Sequence, residues 1–154
     1  MTDLKAYVSE HFKFGEFITS DYAIRHGIDN TPSPAVEARM LAVLVPGMER
    51  VRQLLGAPIY ISSGYRSPTL NRLVGGSKTS QHVDGCAADF VSPSFGPPRA
   101  IAAHLHRFAA YIKFDQMIHE GSWLHISFVE VGERSQVLTA HFANGRVTYT
   151  PGLA

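Results

Sequence analysis

Cysteine occurs once, at Cys86, so these 154 residues can form no internal disulfide and nothing points to an oxidative folding compartment. A lone thiol inside an apolar run behaves as a small hydrophobe, so burial is expected for it. Net charge is nearly absent: 14 Lys+Arg against 13 Asp+Glu leave +1, which gives no electrostatic reason to expect a nucleic-acid partner. No window approaches the roughly 20 apolar residues of a membrane span. The first residues, MTDLKAYVSEHFKFGEF, lack the apolar stretch and small-residue cleavage site of a secretory signal. Synthesis in the cytoplasm without a signal peptide is therefore expected, with neither membrane nor nucleic acid as partner, and as a monomer. Repeats and low-complexity tracts are missing too. What remains, 45% apolar and 18% charged residues, is the composition of a folded globular chain.

The length fits a single domain over residues 1–154. Residues 1–35 read as an N-terminal arm, with Phe12, Phe14 and Phe17 pinning a short strand or hook and Thr19-Ser20-Asp21 capping a short helix. Residues 36–129 form the core unit. Its longest helical pattern runs through Val36, Met40, Val43, Leu44, Met48, Val51 and Leu55, and Pro46 should kink or split it. A strand at residues 59–61 follows. Ser67-Pro68 then announces a short helix, proline being suited to the first helical position. A second amphipathic helix spans residues 99–111, and strands at 116–119 and 123–129 flank the tight connection Glu120-Gly121-Ser122. Residues 130–154 carry a last hairpin, marked by Asn144-Gly145. Helices flanking a largely antiparallel sheet make the expected class α+β.

The chemistry concentrates between residues 62 and 90, SSGYRSPTLNRLVGGSKTSQHVDGCAADF. His82 and Asp89 stand seven apart. On a continuous helix that is about 10 Å, too far to share an ion, and on a strand it is farther. A chain that turns back at Asp84-Gly85 and enters a strand at Cys86 brings the two together. Asp89 lies in the small, apolar run CAADFV, where a carboxylate is costly unless it is paired or bound to a cation. His125 repeats the oddity inside WLHISFV. If Leu124 and Ile126 face one side, His125 shares the other with Trp123 and Ser127. Two such residues in separate strands, plus a loop histidine, suggest a three-ligand metal site with a fourth position open for water, the layout of catalytic zinc. The alternative for His82 is an ordinary structural or surface histidine. His11, His26, His104, His106 and His141 are read as non-ligands.

Ser62-Ser63-Gly64-Tyr65-Arg66-Ser67, Asn71, Gly75-Gly76, Ser80-Gln81-His82, Gly85, Ala87, Asp89-Phe90 and Trp123-Leu124-His125-Ile126-Ser127 together resemble the zinc D-alanyl-D-alanine carboxypeptidase family. That family also holds the L-alanyl-D-glutamate endopeptidases of phage lysis enzymes and the vancomycin-resistance D,D-dipeptidases. The arm, with His11-Phe12, Glu16-Phe17 and residues 27–30, is similar to small phage and prophage members, and the likeness covers most of residues 11–129. It implies a hedgehog/DD-peptidase-like fold, Zn2+ held by His82, Asp89 and His125, and Arg66 as the residue that grips a substrate carbonyl or carboxylate and the developing oxyanion. A guanidinium suits that task, being planar and permanently charged. Ser80 is expected to touch substrate or orient His82, with a simple capping role as the alternative. Tyr65 and Asn71 read as scaffold, and Gly75-Gly76 as a turn.

The chain departs from part of the family at the general base. Several members carry Glu or Asp three residues before the last histidine ligand, where this chain has Ser122. Glu120, across the turn, is the expected base; its alternative is an exposed turn residue, and that of His119 a solvent-facing strand position. The implied activity is hydrolysis of a peptide bond in peptidoglycan stem peptides or cross-links by a zinc-activated water, on the cell wall after release or virion delivery. The runner-up is a carboxypeptidase acting on the terminal D-Ala-D-Ala bond. A non-catalytic zinc-binding structural or phage-tail module is the reading from another class. Asp84, Asp115 and Gln116 are the available partners for the ligand histidines.

Overall fold

The computed structural model describes residues 1–153. It is α+β. Six strands, β1 (Tyr60–Ser63), β2 (Ala87–Val91), β3 (Gln116–His119), β4 (Leu124–Ser127), β5 (Gln136–Ala143) and β6 (Arg146–Pro151), form one sheet in the order β1-β2-β4-β3-β5-β6. Every neighbouring pair is antiparallel except β3–β5, which is parallel. The helices are α1 (Gly15–Ile18), α2 (Asp21–Arg25), α3 (Pro34–Arg39), α4 (Val45–Leu55), α5 (Pro68–Leu73), α6 (Pro98–Arg107) and α7 (Ala109–Ile112).

Alternation along the strands sorts the sheet into two faces. Phe90, Leu124, Ile126 and Met117 point one way and are fully buried, joining Met48 and Val51 of α4 and Ile101 and Leu105 of α6 in the core. Asp89, His125 and Ile118 occupy successive opposed positions on the other face. Helices thus cover one side of the sheet, and the polar residues that looked misplaced in the sequence lie on the side left open.

Several local expectations hold with adjustments. Ser67 caps α5 by accepting from Leu70 N–H, and Ser20 caps α2 through Ala23 N–H. Pro46 neither breaks nor separates the long helix. A π-helical turn, Met40–Leu44, precedes α4, and the Val45 N–H reaches back to the Met40 carbonyl. Widening the helix there relieves the clash that the proline ring would make with the carbonyl four residues earlier. The arm is not a strand: a single bridge joins Tyr7 to Lys13, and residues Gly15–Ile18 wind into one helical turn. Its phenylalanines are nonetheless core residues, Phe12 and Phe17 meeting at 5.4 Å. The helix expected at 99–111 is interrupted at Phe108 and continues as α7.

Two contacts fasten loops under the open face. Gly64 follows β1 directly, and a Cβ added there would lie 2.2 Å from the Phe17 carbonyl oxygen. That same carbonyl accepts from Tyr65 N–H at 2.7 Å, so the arm and the β1 exit are pressed together, backbone against backbone. Asp115, only 4% exposed, accepts from the Arg134 guanidinium at 2.7 Å and from the Gln81 amide at 3.1 Å. It joins the chain before His82 to the approach to β5. Burial pushes the Asp115 carboxyl up, but the bonds from Arg134 and Gln81 outweigh it and hold it below its ordinary value.

Gly64→Ala should therefore cost about 2–4 kcal/mol, because backbone rather than a flexible side chain must move; urea unfolding with an unchanged slope would register it as a shifted midpoint. Asp115→Asn should lose about 1–3 kcal/mol at neutral pH. Because the folded carboxyl titrates below its unfolded value, this stabilisation is present above the unfolded value of about 4 and disappears as pH falls through the folded one. Melting curves of the two proteins should converge in acid; a difference constant with pH would refute the ion-pair origin.

Candidate metal centre and groove

The register of the sheet builds the centre. Asp89 on β2 stands opposite His125 on β4, and cross-strand neighbours on one face lie within side-chain reach. His82 arrives from the turn at residues 81–85, which folds back as its sequence implied: Cys86 N–H returns to the Gln81 carbonyl and Gly85 N–H to the His82 carbonyl. Nε2 of His82 lies 3.2 Å from Oδ1 of Asp89, and Nδ1 of His125 lies 2.9 Å from the same oxygen. The rings are 5.1 Å apart. All three residues are buried, at 2%, 8% and 8% exposure for His82, Asp89 and His125. Their ligand atoms lie within 4.8 Å of one another, and no other group of histidine, cysteine, aspartate and glutamate among the described residues converges in this way.

The donor set fits a cation. His82 Nδ1 is 2.6 Å from the Gly64 carbonyl oxygen, which can only accept, so Nδ1 carries the proton. In the neutral ring Nε2 then offers a lone pair, directed at a carboxylate oxygen. Lone pair against lone pair is unfavourable unless a positive charge lies between them. Two imidazole nitrogens and a carboxylate are also a donor set that zinc accepts. Burial alone would raise the Asp89 carboxyl, but where the facing rings are protonated instead, the charge of His82 and the bonds from His125 and His82 outweigh it and hold it well below the carboxylate range; a metal cation in place of those protons acts in the same direction. The carboxylate form that coordinates a metal is thus the form the site favours.

Arg66 borders the centre, its Nη2 3.6 Å from Asp89 Oδ2. Its Nε donates to Ser63 Oγ at 3.1 Å and its Nη1 to Asn71 Oδ1 at 2.9 Å. Asn71 in turn donates to the Ser77 carbonyl. Gly76 leaves the room for this grip, since a Cβ there would lie 2.0 Å from Asn71 Oδ1. Asn71 therefore does more than support the fold: it aims the guanidinium. A polar side chain on a short helix gave no sign of that. Ser80 accepts from His82 N–H at 3.2 Å and borders the groove, consistent with both roles weighed for it. The partner that fixes His82 is not among the side chains considered. Asp115 holds Arg134, Gln116 bonds Gln136, and the Asp84 carbonyl accepts from Arg39, while His82 uses the backbone of Gly64. Backbone carbonyls carry no residue signature, so sequence could not reveal this one.

Glu120 borders the same cavity, half-buried, at the tight turn joining β3 and β4, where its N–H donates to the Trp123 carbonyl. Burial, then the charge of Asp89, raises its carboxyl above the ordinary glutamate value, with His125 and Arg66 opposing. Ser122 is exposed, and His119 is half-buried on the opposite face, paired across from Leu124. Of the five remaining histidines four are engaged elsewhere, His11 with Glu49, His26 with the Tyr22 carbonyl, His104 with the Leu54 carbonyl and His141 with Thr150, and His106 is exposed on α6, away from the cluster. Cys86 is buried, its thiol pushed up to about 11 chiefly by burial, and it stays outside this cluster.

The cavity measures about 940 Å³ and crosses the whole sheet. Ser62 and Ser63 of β1 border one end, Asp89 and His125 the middle, and Val147 and Tyr149 of β6 the other. No helix of the described chain is long and apolar enough to cross a membrane.

No curated protein matches the chain at a significant level. The family profile described as Peptidase M15 matches residues 10–127, roughly three-quarters of the sequence, and that stretch contains His82, Asp89, His125, Arg66 and Glu120 alike. On that match the chain belongs to the Peptidase M15 family.

Proposed function

We propose that this protein is a zinc-dependent peptidase that hydrolyses an interior peptide bond of bacterial peptidoglycan. The observation that carries the proposal is the convergence of His82, Asp89 and His125 on the floor of a groove, in a chain of the Peptidase M15 family, whose members are zinc-dependent and act on peptidoglycan peptides. Zinc held by these residues would supply a Lewis acid and a water made acidic enough to attack at neutral pH. Glu120 takes the proton of the attacking water and passes it to the leaving amine. Its raised carboxyl brings it closer to the pH at which both transfers are favourable. Arg66, aimed by Ser63 and Asn71, donates to the carbonyl oxygen as negative charge develops there. Gly64, through its carbonyl, keeps the His82 ring turned with Nε2 toward the centre.

Two features favour an interior bond over the terminal D-Ala-D-Ala link. The groove extends on both sides of the centre, across β1 on one side and across β3, β5 and β6 on the other. Six strands at the usual spacing span about 24 Å, room for about seven residues of extended peptide. A carboxypeptidase needs a further cation for the terminal carboxylate, and of the two arginines bordering the groove Arg66 is given to the reacting carbonyl while Arg134 is paired with Asp115.

The test is mass spectrometry of purified peptidoglycan incubated with the zinc-loaded protein. New amino termini within stem peptides or cross-links are expected. Glu120→Gln should lower turnover by about 100-fold or more while zinc content is unchanged, and His82→Ala should lose the zinc. Because Glu120 acts as a base, activity should fall as pH drops through its titration, an acid limb that Glu120→Gln removes. Release of free D-alanine as the sole product would select the carboxypeptidase instead. Zinc retained without turnover would make this a non-catalytic module.

A further inference from the structure

The β5–β6 hairpin lies beyond the residues that match the family, and its two faces differ in kind. Cross-strand partners share a face, which puts Leu138, Ala140 with Tyr149, and Phe142 with Val147 on the groove side. The other side carries Thr139 with Thr150 and His141 with Thr148. Large apolar groups of a two-stranded ribbon normally turn into the core. Here they turn toward the open groove, and Phe142 remains 58% and Tyr149 48% exposed. Trp123 joins them, its ring 6.5 Å from that of Phe142. The Trp123 Nε1–H is buried and has no hydrogen-bond partner among the described residues, and a buried donor of this kind is costly until an acceptor arrives. A contiguous exposed apolar surface that continues a substrate groove marks a recognition site.

Resting on the peptidoglycan reading above, we propose that Trp123, Phe142, Val147 and Tyr149 form a sugar-binding wall that seats an N-acetylhexosamine ring of the glycan strand beside the peptide being cleaved. A pyranose has an apolar C–H face that lies against aromatic rings and an edge of hydroxyls and acetamido groups that can bond the hydroxyl of the exposed Tyr149. The peptide portion of the substrate fits this wall less well, because its carboxylates require cations. Arg134 is committed to Asp115, Arg146 projects from the opposite face of the hairpin, and the Glu120 charge, which together with burial raises the Tyr149 hydroxyl, repels anions. Tyr149 thus stays a neutral hydroxyl, able to donate to or accept from a sugar.

Trp123 is the only tryptophan, so its fluorescence reports on the wall without any requirement for catalysis. Titrating the zinc-loaded protein with a soluble N-acetylglucosamine oligomer should give a saturable change in that emission. Phe142→Ala and Tyr149→Ala should each weaken the binding by about tenfold, the scale of one lost stacking contact. The ratio of kcat/KM on glycan-linked over free stem peptide should fall by a similar factor in the same variants. An emission that ignores the oligomer, or binding unaltered in both variants, overturns the proposal. So does a concentration-dependent dimer abolished by Phe142→Ala, which would assign the face to a second copy of the chain. Sugar binding without peptide turnover would retain the wall and defeat the peptidase reading, whereas turnover without sugar binding does the reverse.

Discussion

The structure turns on the pairing of β2 with β4, because it places a carboxylate and an imidazole opposite each other on a buried sheet face. Strand periodicity is two, so a slip of one residue would send Asp89 and His125 into the hydrocarbon core and bring Phe90 and Leu124 out. The fully buried Phe90, Leu124 and Ile126 make that slip very unfavourable. The apolar face and the metal face are two sides of one constraint. Whatever packs α4 and α6 onto the sheet also fixes the distance between Asp89 and His125.

A buried carboxylate destabilises a fold unless its neighbours compensate. Here the compensation is shared by His82, His125 and Arg66, none of which is held by Asp89 alone. His82 is fixed by a backbone carbonyl, Arg66 by Ser63 and Asn71, and His125 by the strand itself. A cation entering among the ligands would therefore meet groups already oriented, with little rearrangement left to offset its binding. Two of these supports also depend on hydrogen standing where other residues have a methyl group. Gly64 allows the arm to press against the β1 exit, and Gly76 allows Asn71 to reach Arg66.

The cluster of His82, Asp89 and His125 was legible because each of the three residues violated its surroundings, and the α+β class because helical and strand patterns alternated along the chain. Asp89 and His125 stand in apolar strands, and the spacing of His82 made sense only with a turn. Such residues announce themselves through the cost of burying them. The rest was hidden for three separate reasons. Gly64 acts through a carbonyl common to every residue. Asn71 acts through a contact six residues along, at Ser77, and five back, at Arg66, and a helical asparagine looks the same whether it faces solvent or a guanidinium. The π-helical turn before Pro46 is a backbone response, and the sequence indicated only that some response was needed. The arm was legible in part: of the strand and the hook that Phe12, Phe14 and Phe17 suited, the structure has the hook, a single Tyr7–Lys13 bridge followed by one helical turn that carries Phe17.

The C-terminal hairpin shows the limit of pattern most clearly. Asn144-Gly145 marked its turn, and a turn names a hairpin without saying which of its two faces meets water. That is decided by the parallel pairing of β5 with β3, which aligns Leu138 with Ile118 and so with His125. Parallel partners lie far apart in sequence and share no turn, so no local signal sets their register. The same arrangement separates two tasks physically. Asp89 and His125 are locked by a central register that also builds the core, whereas Phe142 and Tyr149 stand on an edge ribbon joined to the sheet through β3. Exchanging a ring at Phe142 or Tyr149 leaves the β2–β4 register untouched, so the lining of the groove can change while the cluster of His82, Asp89 and His125 stays as it is.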